Sequence, residues 1–397
     1  MLVVNIQEGR RTMSVRSKAK ANGSTRRRFI KNAAGAVAGA AVFSGAAPGI
    51  LRGTAHASDE VQIGYLPVNV MLPVYEESVG FWRDAGVNAS LFRAAGGPAI
   101  LQALATGSVP VGDIGVGPAI IAAIRGLPFY YVTLASVMTP DHPLDRIMVL
   151  EESPIQEFSD LRGKTLAINQ RGTMPDAALG AAEQKFGLAK SDIDLVPIPY
   201  PNMAQVLTQG QVDAIYPFPP ADAVAEVRFG ARTVANTTDF APYIGFTTLA
   251  VHRDFADENP EMVQKLVQGA INGHRWNNDN QAEARSASNS FLSIPEDVGP
   301  SVRTAYWTRN GLPVMANVWH LYELQVAGGI IEPVDGIEDV INDYFVEPTQ
   351  RFTLPALEEV GFQADPTIKE MLQGEYPLLP KPVEEYHTEW DHQILSM

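Results

Sequence analysis

The 397-residue chain contains no cysteine. That absence excludes a disulfide framework, a thiolate metal site and a lipid-modified cysteine behind an export leader. Aromatic residues are sparse at 8 %. No stretch of about 20 residues is dominated by Leu, Ile, Val or Phe, so no membrane-spanning helix is expected. The softest candidate, residues 33–50, is mostly Ala and Gly and carries Ser44 and Pro48. Bases are outnumbered, 30 Lys and Arg against 45 Asp and Glu, for a net charge of −15.

The bases that exist are unevenly placed. Residues 1–57 hold ten of them against the single acid Glu8, a net of +9 that leaves −24 on the other 340 residues. A nucleic-acid arm is disfavoured, because an acidic body would compete for it and no aromatics interleave the arginines to stack on bases. The stretch Thr25-Arg26-Arg27-Arg28-Phe29-Ile30-Lys31 followed by a mild apolar run and Ala55-His56-Ala57 fits a removable leader. Its paired arginines resemble a twin-arginine translocation signal, with the twin-arginine translocase as export partner and cleavage after Ala57. The mature chain is then expected free in the periplasm of a Gram-negative type of cell.

From Val61 the chain alternates short β-rich runs with Ala-rich helical runs, the pattern of an α/β fold with mostly parallel sheets. Two domains are expected for this length. A long helix is predicted from Asn259 and Pro260, with Met262, Val263, Leu266, Val267, Ala270 and Ile271 on one face. Beyond it the sequence reads as largely helical, ending Pro-rich. Five strand-to-helix junctions share a flexible turn with proline in the first helical turn: Leu72-Pro73, Gly96-Gly97-Pro98, Gly115-Val116-Gly117-Pro118, Gly172-Thr173-Met174-Pro175 and Pro219-Pro220. Such junctions lie at the carboxyl ends of strands, where ligands bind open α/β sheets and helix N–H groups are free.

No catalytic constellation emerges. Gly115-Val116-Gly117 starts like a dinucleotide fingerprint, but Ile120 stands at the third glycine position; Gly163-Lys164-Thr165 mimics the end of a phosphate loop, but Phe158 stands where its first glycine is needed. The histidines outside the leader are scattered, except His387 and His392 beside Glu389 and Asp391, a pattern of a solvated acidic tail more than of a metal site. Neither enzyme activity nor a metal or cofactor is expected.

The segment GGPAILQALATGSVPVGDIGVGPAIIAAIRGLPFYYV resembles the first-lobe signature of solute-binding proteins of the nitrate/sulfonate/taurine/bicarbonate ABC-importer group. FSDLRGKTLAINQRGTMPDAALGAAEQKFGL resembles the group's second-lobe entry, and PIPYPNMAQVLTQGQVDAIYPFPPADAV the unit after it. The resemblance implies a two-lobed type II periplasmic-binding fold: leader 1–57, a discontinuous first lobe of 58–150 plus 246–397, and a second lobe of 155–243. It implies a ligand held between the lobes by hinge closure and delivered to a membrane permease. Carried over, the ligand contacts are Asn69 and Met71, Gly96 and Gly97, Gly117 and Pro118, and Thr173 and Met174, with Tyr216 and Phe218 placed to stack on a planar solute. Local alternatives stand beside these: Asn69 holding its own loop, the glycines serving only as turns, Thr173 only capping, Tyr216 and Phe218 only packing. Asp176 in the first helical turn argues against a strongly anionic ligand, and a small organic sulfonate, carboxylate or heterocycle is expected. A sensory binding protein docking on a receptor and an enzyme like those making the thiamine pyrimidine are the alternatives. The last hundred residues carry no motif.

Overall fold

The computed structural model describes residues 60–94 and 97–397; the expected leader with its expected cleavage point, and Gly96, lie outside the described residues. The strands in chain order are β1 (Glu60–Tyr65), β2 (Asn88–Arg93), β3 (Val111–Gly115), β4 (Phe129–Leu134), β5 (Ser136–Met138), β6 (Arg146–Leu150), β7 (Thr165–Ile168), β8 (Asp194–Pro197), β9 (Ala214–Ile215), β10 (Ala231–Asn236), β11 (Ile244–Gly245), β12 (Thr247–His252) and β13 (Tyr306–Trp307).

They form three sheets, of order β2-β1-β3-β12-β4, β10-β6-β9-β7-β8 and β11-β5-β13. In the first, β1 runs parallel to β2 and β3 while β12 is antiparallel to β3 and β4, so four strands point one way and β12 opposes them. The second repeats the arrangement, with β7 parallel to β8 and β9, and β6 antiparallel to β9 and β10. Each opposed strand is the one by which the chain enters its sheet after crossing from the other. The sequence division at 150 leaves residues 146–150 with the first lobe, but they form β6 of the second sheet, since the crossing lies between Met138 and Arg146. The third sheet is made where the chain crosses: β5 leads out, β11 leads back, and β13 pairs with β5 (Tyr306 opposite Val137) as a strand contributed from the last hundred residues.

Sequence pattern explains the packing. Val61 and Ile63 of β1 are buried, and β4 and β12 are covered on both faces, as β-branched and aromatic runs require. The long helix spans Pro260–Asp279, and all six residues of the expected stripe are buried. It packs on Trp82, whose indole N–H donates to the Leu266 carbonyl (2.9 Å). Here Gly269 is required, because a Cβ would lie 2.5 Å from Trp82 Cδ1. Between Ile337 and Val360 one helical run contains two π turns, Asn342–Val346 and Thr349–Thr353. Pro348 and Pro355 remove helical N–H donors in this run, and a wider turn accommodates the loss.

Candidate functional site

A cavity of about 1900 Å³ opens between the carboxyl ends of the strands in the first two sheets. In each sheet the chain leaves a central strand for one neighbour and returns for the other: β1 is flanked by β2 and β3, and β7 by β8 and β9. Such switch points leave a crevice at the strand ends. The loops that follow β1, β3, β7 and β9 supply Met71, Gly117 and Pro118, Thr173 and Met174, and Phe218 to the cavity wall, and Gly97 lies there too.

The loop after β1 is tied down from several sides. Buried Asp113 on β3 accepts the Leu72 N–H (2.8 Å), and burial pushes its carboxyl up to about 8. Ser136 and Thr247 hydroxyls donate to the Val70 carbonyl (3.2 Å each), and the Tyr75 hydroxyl to that of Asn69 (2.5 Å). Asn69 itself is 1 % exposed and does not reach the cavity; its amide donates to the Arg303 carbonyl (2.7 Å). The expected ligand contact at Asn69 is therefore corrected to a loop anchor. After β3, the Val116 N–H donates to the Phe246 carbonyl (3.0 Å), and Pro118 has no N–H, which leaves Gly117 as the first-turn donor of the helix Val116–Ile124 at the cavity.

On the opposite wall Thr173 stands at the N-cap of the short helix Met174–Ala178, and its hydroxyl donates to the Gln170 carbonyl (2.7 Å). Asp176 does not behave as the sequence suggests. It is buried, and its carboxylate accepts the Gly172 N–H (2.8 Å), pairs with Lys190 Nζ (2.7 Å) and lies 3.4 Å from Arg171. Lys190 also donates to the Gly328 carbonyl (2.7 Å). The acid is thus consumed in shaping its own turn and neutralising neighbours. With Arg93 and Arg125 on the first wall and Arg171 and Lys190 on the second, the cavity carries four cations against this one carboxylate, a local net of +3 in an acidic protein.

At the base, Phe218 stacks on Phe246, with centroids 4.9 Å apart and planes 9° from parallel, and Tyr200 leans on Phe218 at 6.1 Å. Tyr216 takes no part. It is fully buried with its hydroxyl 2.5 Å from Thr237 Oγ1, so the expected stacking role is corrected to core packing beside the crossing. Sequence reasoning missed the cations, Tyr200, Phe246 and the segment Gly328–Ile330 of the last hundred residues, which lines one side. Only Arg171, next to the Gly172 turn, offered a positional signal; the others are single residues with no periodic context. Among the described residues no group of three or more His, Cys, Asp or Glu is placed to hold a metal ion.

Two α/β sheets joined by paired crossings, with a cavity at their strand ends, define the periplasmic-binding-protein class of fold. The NMT1/THI5-like family pattern matches residues 69–284, more than half of the chain, and the chain belongs to that family. The taurine-binding periplasmic protein of Escherichia coli (strain K12) is 24 % identical over 290 residues, covering 68 % of this chain and 86 % of that protein. Among solved structures, the periplasmic aliphatic sulphonate binding protein SsuA from Escherichia coli matches with TM-score 0.57 at 23 % identity over 74 % of this chain and 91 % of its own. The periplasmic nitrate-binding protein NrtA from Synechocystis PCC 6803 matches with TM-score 0.63 at 13 % identity over 76 % and 89 %. At these identities the structures establish the fold. The relatives named here are binding proteins, not enzymes, although the desulfurization enzyme DSZB shares the fold (TM-score 0.58).

Proposed function

We propose that the chain is the periplasmic solute-binding component of an ABC importer that captures a small organic acid of the sulfonate type and passes it to a membrane permease. The observation that carries this reading is the basic, aromatic-floored cavity between two sheets joined only by crossings and packed C-terminal segments. The cations of both walls would meet the head group, with the Gly117 N–H beside them, while the Phe218–Phe246 stack receives the organic body. A cavity of about 1900 Å³ exceeds the roughly 300–1000 Å³ of small-molecule sites. Closure of the lobes, residues 60–138 with 246–397 against 146–236, would reduce it to fit. The relatives' names support the sulfonate class and the importer role. Export by the twin-arginine route, with removal of residues 1–57, belongs to the same proposal and rests on the leader sequence.

A thermal-shift screen over taurine, alkyl and aryl sulfonates, aromatic carboxylates, pyrimidines, nitrate and bicarbonate tests it. A bound solute at about 100 times its Kd adds roughly 2.7 kcal/mol, an easily read rise in melting temperature. At least one organic sulfonate or carboxylate is expected to score, and Arg171→Met is expected to weaken its binding by about ten- to a hundredfold, roughly 1.4–2.7 kcal/mol. A response confined to pyrimidines, or silence across every acid, overturns the proposal.

A further inference from the structure

We infer that Arg303 is a positioning residue that fastens the cavity loop after β1 to both crossings, so that hinge angle and cavity wall move as one. The inference rests on the closing-lobe reading above. Arg303 lies just before β13, the strand that the last hundred residues add to the crossing sheet. Its guanidinium reaches both crossings: Nη1 donates to the Asn236 side-chain oxygen (2.9 Å) at the end of β10 and lies 3.4 Å from the Pro143 carbonyl on the outgoing segment. Its main-chain carbonyl accepts the buried Asn69 amide (2.7 Å), and Asn69 belongs to the loop whose Leu66, Pro67, Val68 and Met71 line the cavity. One residue therefore holds the wall-forming loop through its backbone, by way of Asn69, and the hinge through its side chain.

The crossings are also joined to one another at this level. Thr237 N donates to the Asp145 carbonyl (3.1 Å), with its hydroxyl at 3.3 Å from the same oxygen. Asp145 is fully buried, and among the described residues neither carboxylate oxygen has a hydrogen-bond partner. Burial and the nearby Asp222 push that carboxyl well above its usual range, and Arg303 is the charge that favours its ionised form. A rotation of the crossings must therefore rearrange the Arg303 bonds in a cluster that holds Asp145, Asp222 and Arg146 out of water. Arginine suits this place because its planar fork holds several donors in fixed directions, whereas a lysine ammonium acts as a point charge on a flexible stem.

The chain has no native cysteine, so Glu77→Cys and Gln209→Cys, both exposed and on opposite sides of the crossings, give clean spin-label pairs on the full chain. Without ligand, Arg303→Met and Asn236→Ala are each expected to widen the interlobe distance distribution, while circular dichroism remains that of the parent. For whichever of taurine and MOPS binds the parent, both changes are expected to weaken affinity about tenfold through faster dissociation. Arg303→Lys, which keeps the charge without the fork, is expected to fall between. Distributions as narrow as the parent's in both variants overturn the inference. If Arg303→Met does not fold, Asn236→Ala decides, because it removes one strand contact and no cavity residue. If neither probe binds the parent but the ligand-free distributions widen, the clamp stands and the transport reading loses its support.

Discussion

Asp113 occupies the middle of β3 with its carboxylate on the Leu72 N–H, and its burial sets a pH dependence. Its carboxyl is raised from about 3.8 to about 8, so between those values the folded chain keeps a proton that the unfolded chain has released. The associated stability is fully present below about pH 4 and is lost as pH rises through 8, at a slope of up to about 1.4 kcal/mol per pH unit. Asp113→Asn keeps an acceptor for Leu72 and cannot titrate. Its urea-unfolding free energy, compared with that of the parent from pH 5 to 9, is expected to lack this one-proton decline; parallel curves would refute the burial account. Asp176 shows why such roles escape the sequence. An acid in the first turn reads as a dipole partner that repels anions, and only the folded arrangement brings Lys190, fourteen positions later, onto it at 2.7 Å.

At the scale of elements, the helix Pro260–Asp279 was legible down to its buried face, because a 3.6-residue period is a local property. The reason for Gly269 was not, since it depends on Trp82 approaching from another part of the chain. Gly269→Val is expected to cost about 1–3 kcal/mol, the usual range for overpacking, measured as a lower urea midpoint with an unchanged slope. An equal midpoint would mean that the helix shifts away from Trp82 freely. The helix that begins at Pro73 breaks at Gly80, which adopts φ +77°, and the segment continues as the short helix Phe81–Asp84. The third sheet was invisible for a related reason: its strands are two or three residues long and draw their regularity from pairing between distant segments.

For the whole molecule, the cavity's net of +3 stands against a net of −24 on residues 58–397, and the two act over different distances. Repulsion by the body is screened beyond roughly 8–10 Å at ordinary ionic strength, whereas the wall cations act at contact. A bound acid is therefore expected to draw the walls together. Small-angle scattering of the full chain with a saturating ligand from the thermal screen should show a smaller radius of gyration than the unliganded protein. An unchanged radius would argue for binding in a preformed open cleft.

Composition, the basic N-terminal segment, the alternating α/β pattern and the five Gly/Pro junctions were determined by the sequence alone, because each is a local feature of adjoining residues. Joined to the resemblance to the solute-binding group, they led to the expectation of a two-lobed binding fold, and the structure places Met71, Gly97, Gly117, Pro118, Thr173, Met174 and Phe218 around one cavity. Tertiary structure alone decided that Asn69 and Tyr216 face inward, that Asp176 is neutralised, and that Arg93, Arg125, Arg171 and Lys190 converge on that cavity. It also decided that the last hundred residues furnish β13, Arg303 and part of the cleft wall. The physical reason is common to all of these: the sign and shape of a cleft are sums over residues far apart in the chain, and no spacing rule connects them before the two sheets face each other.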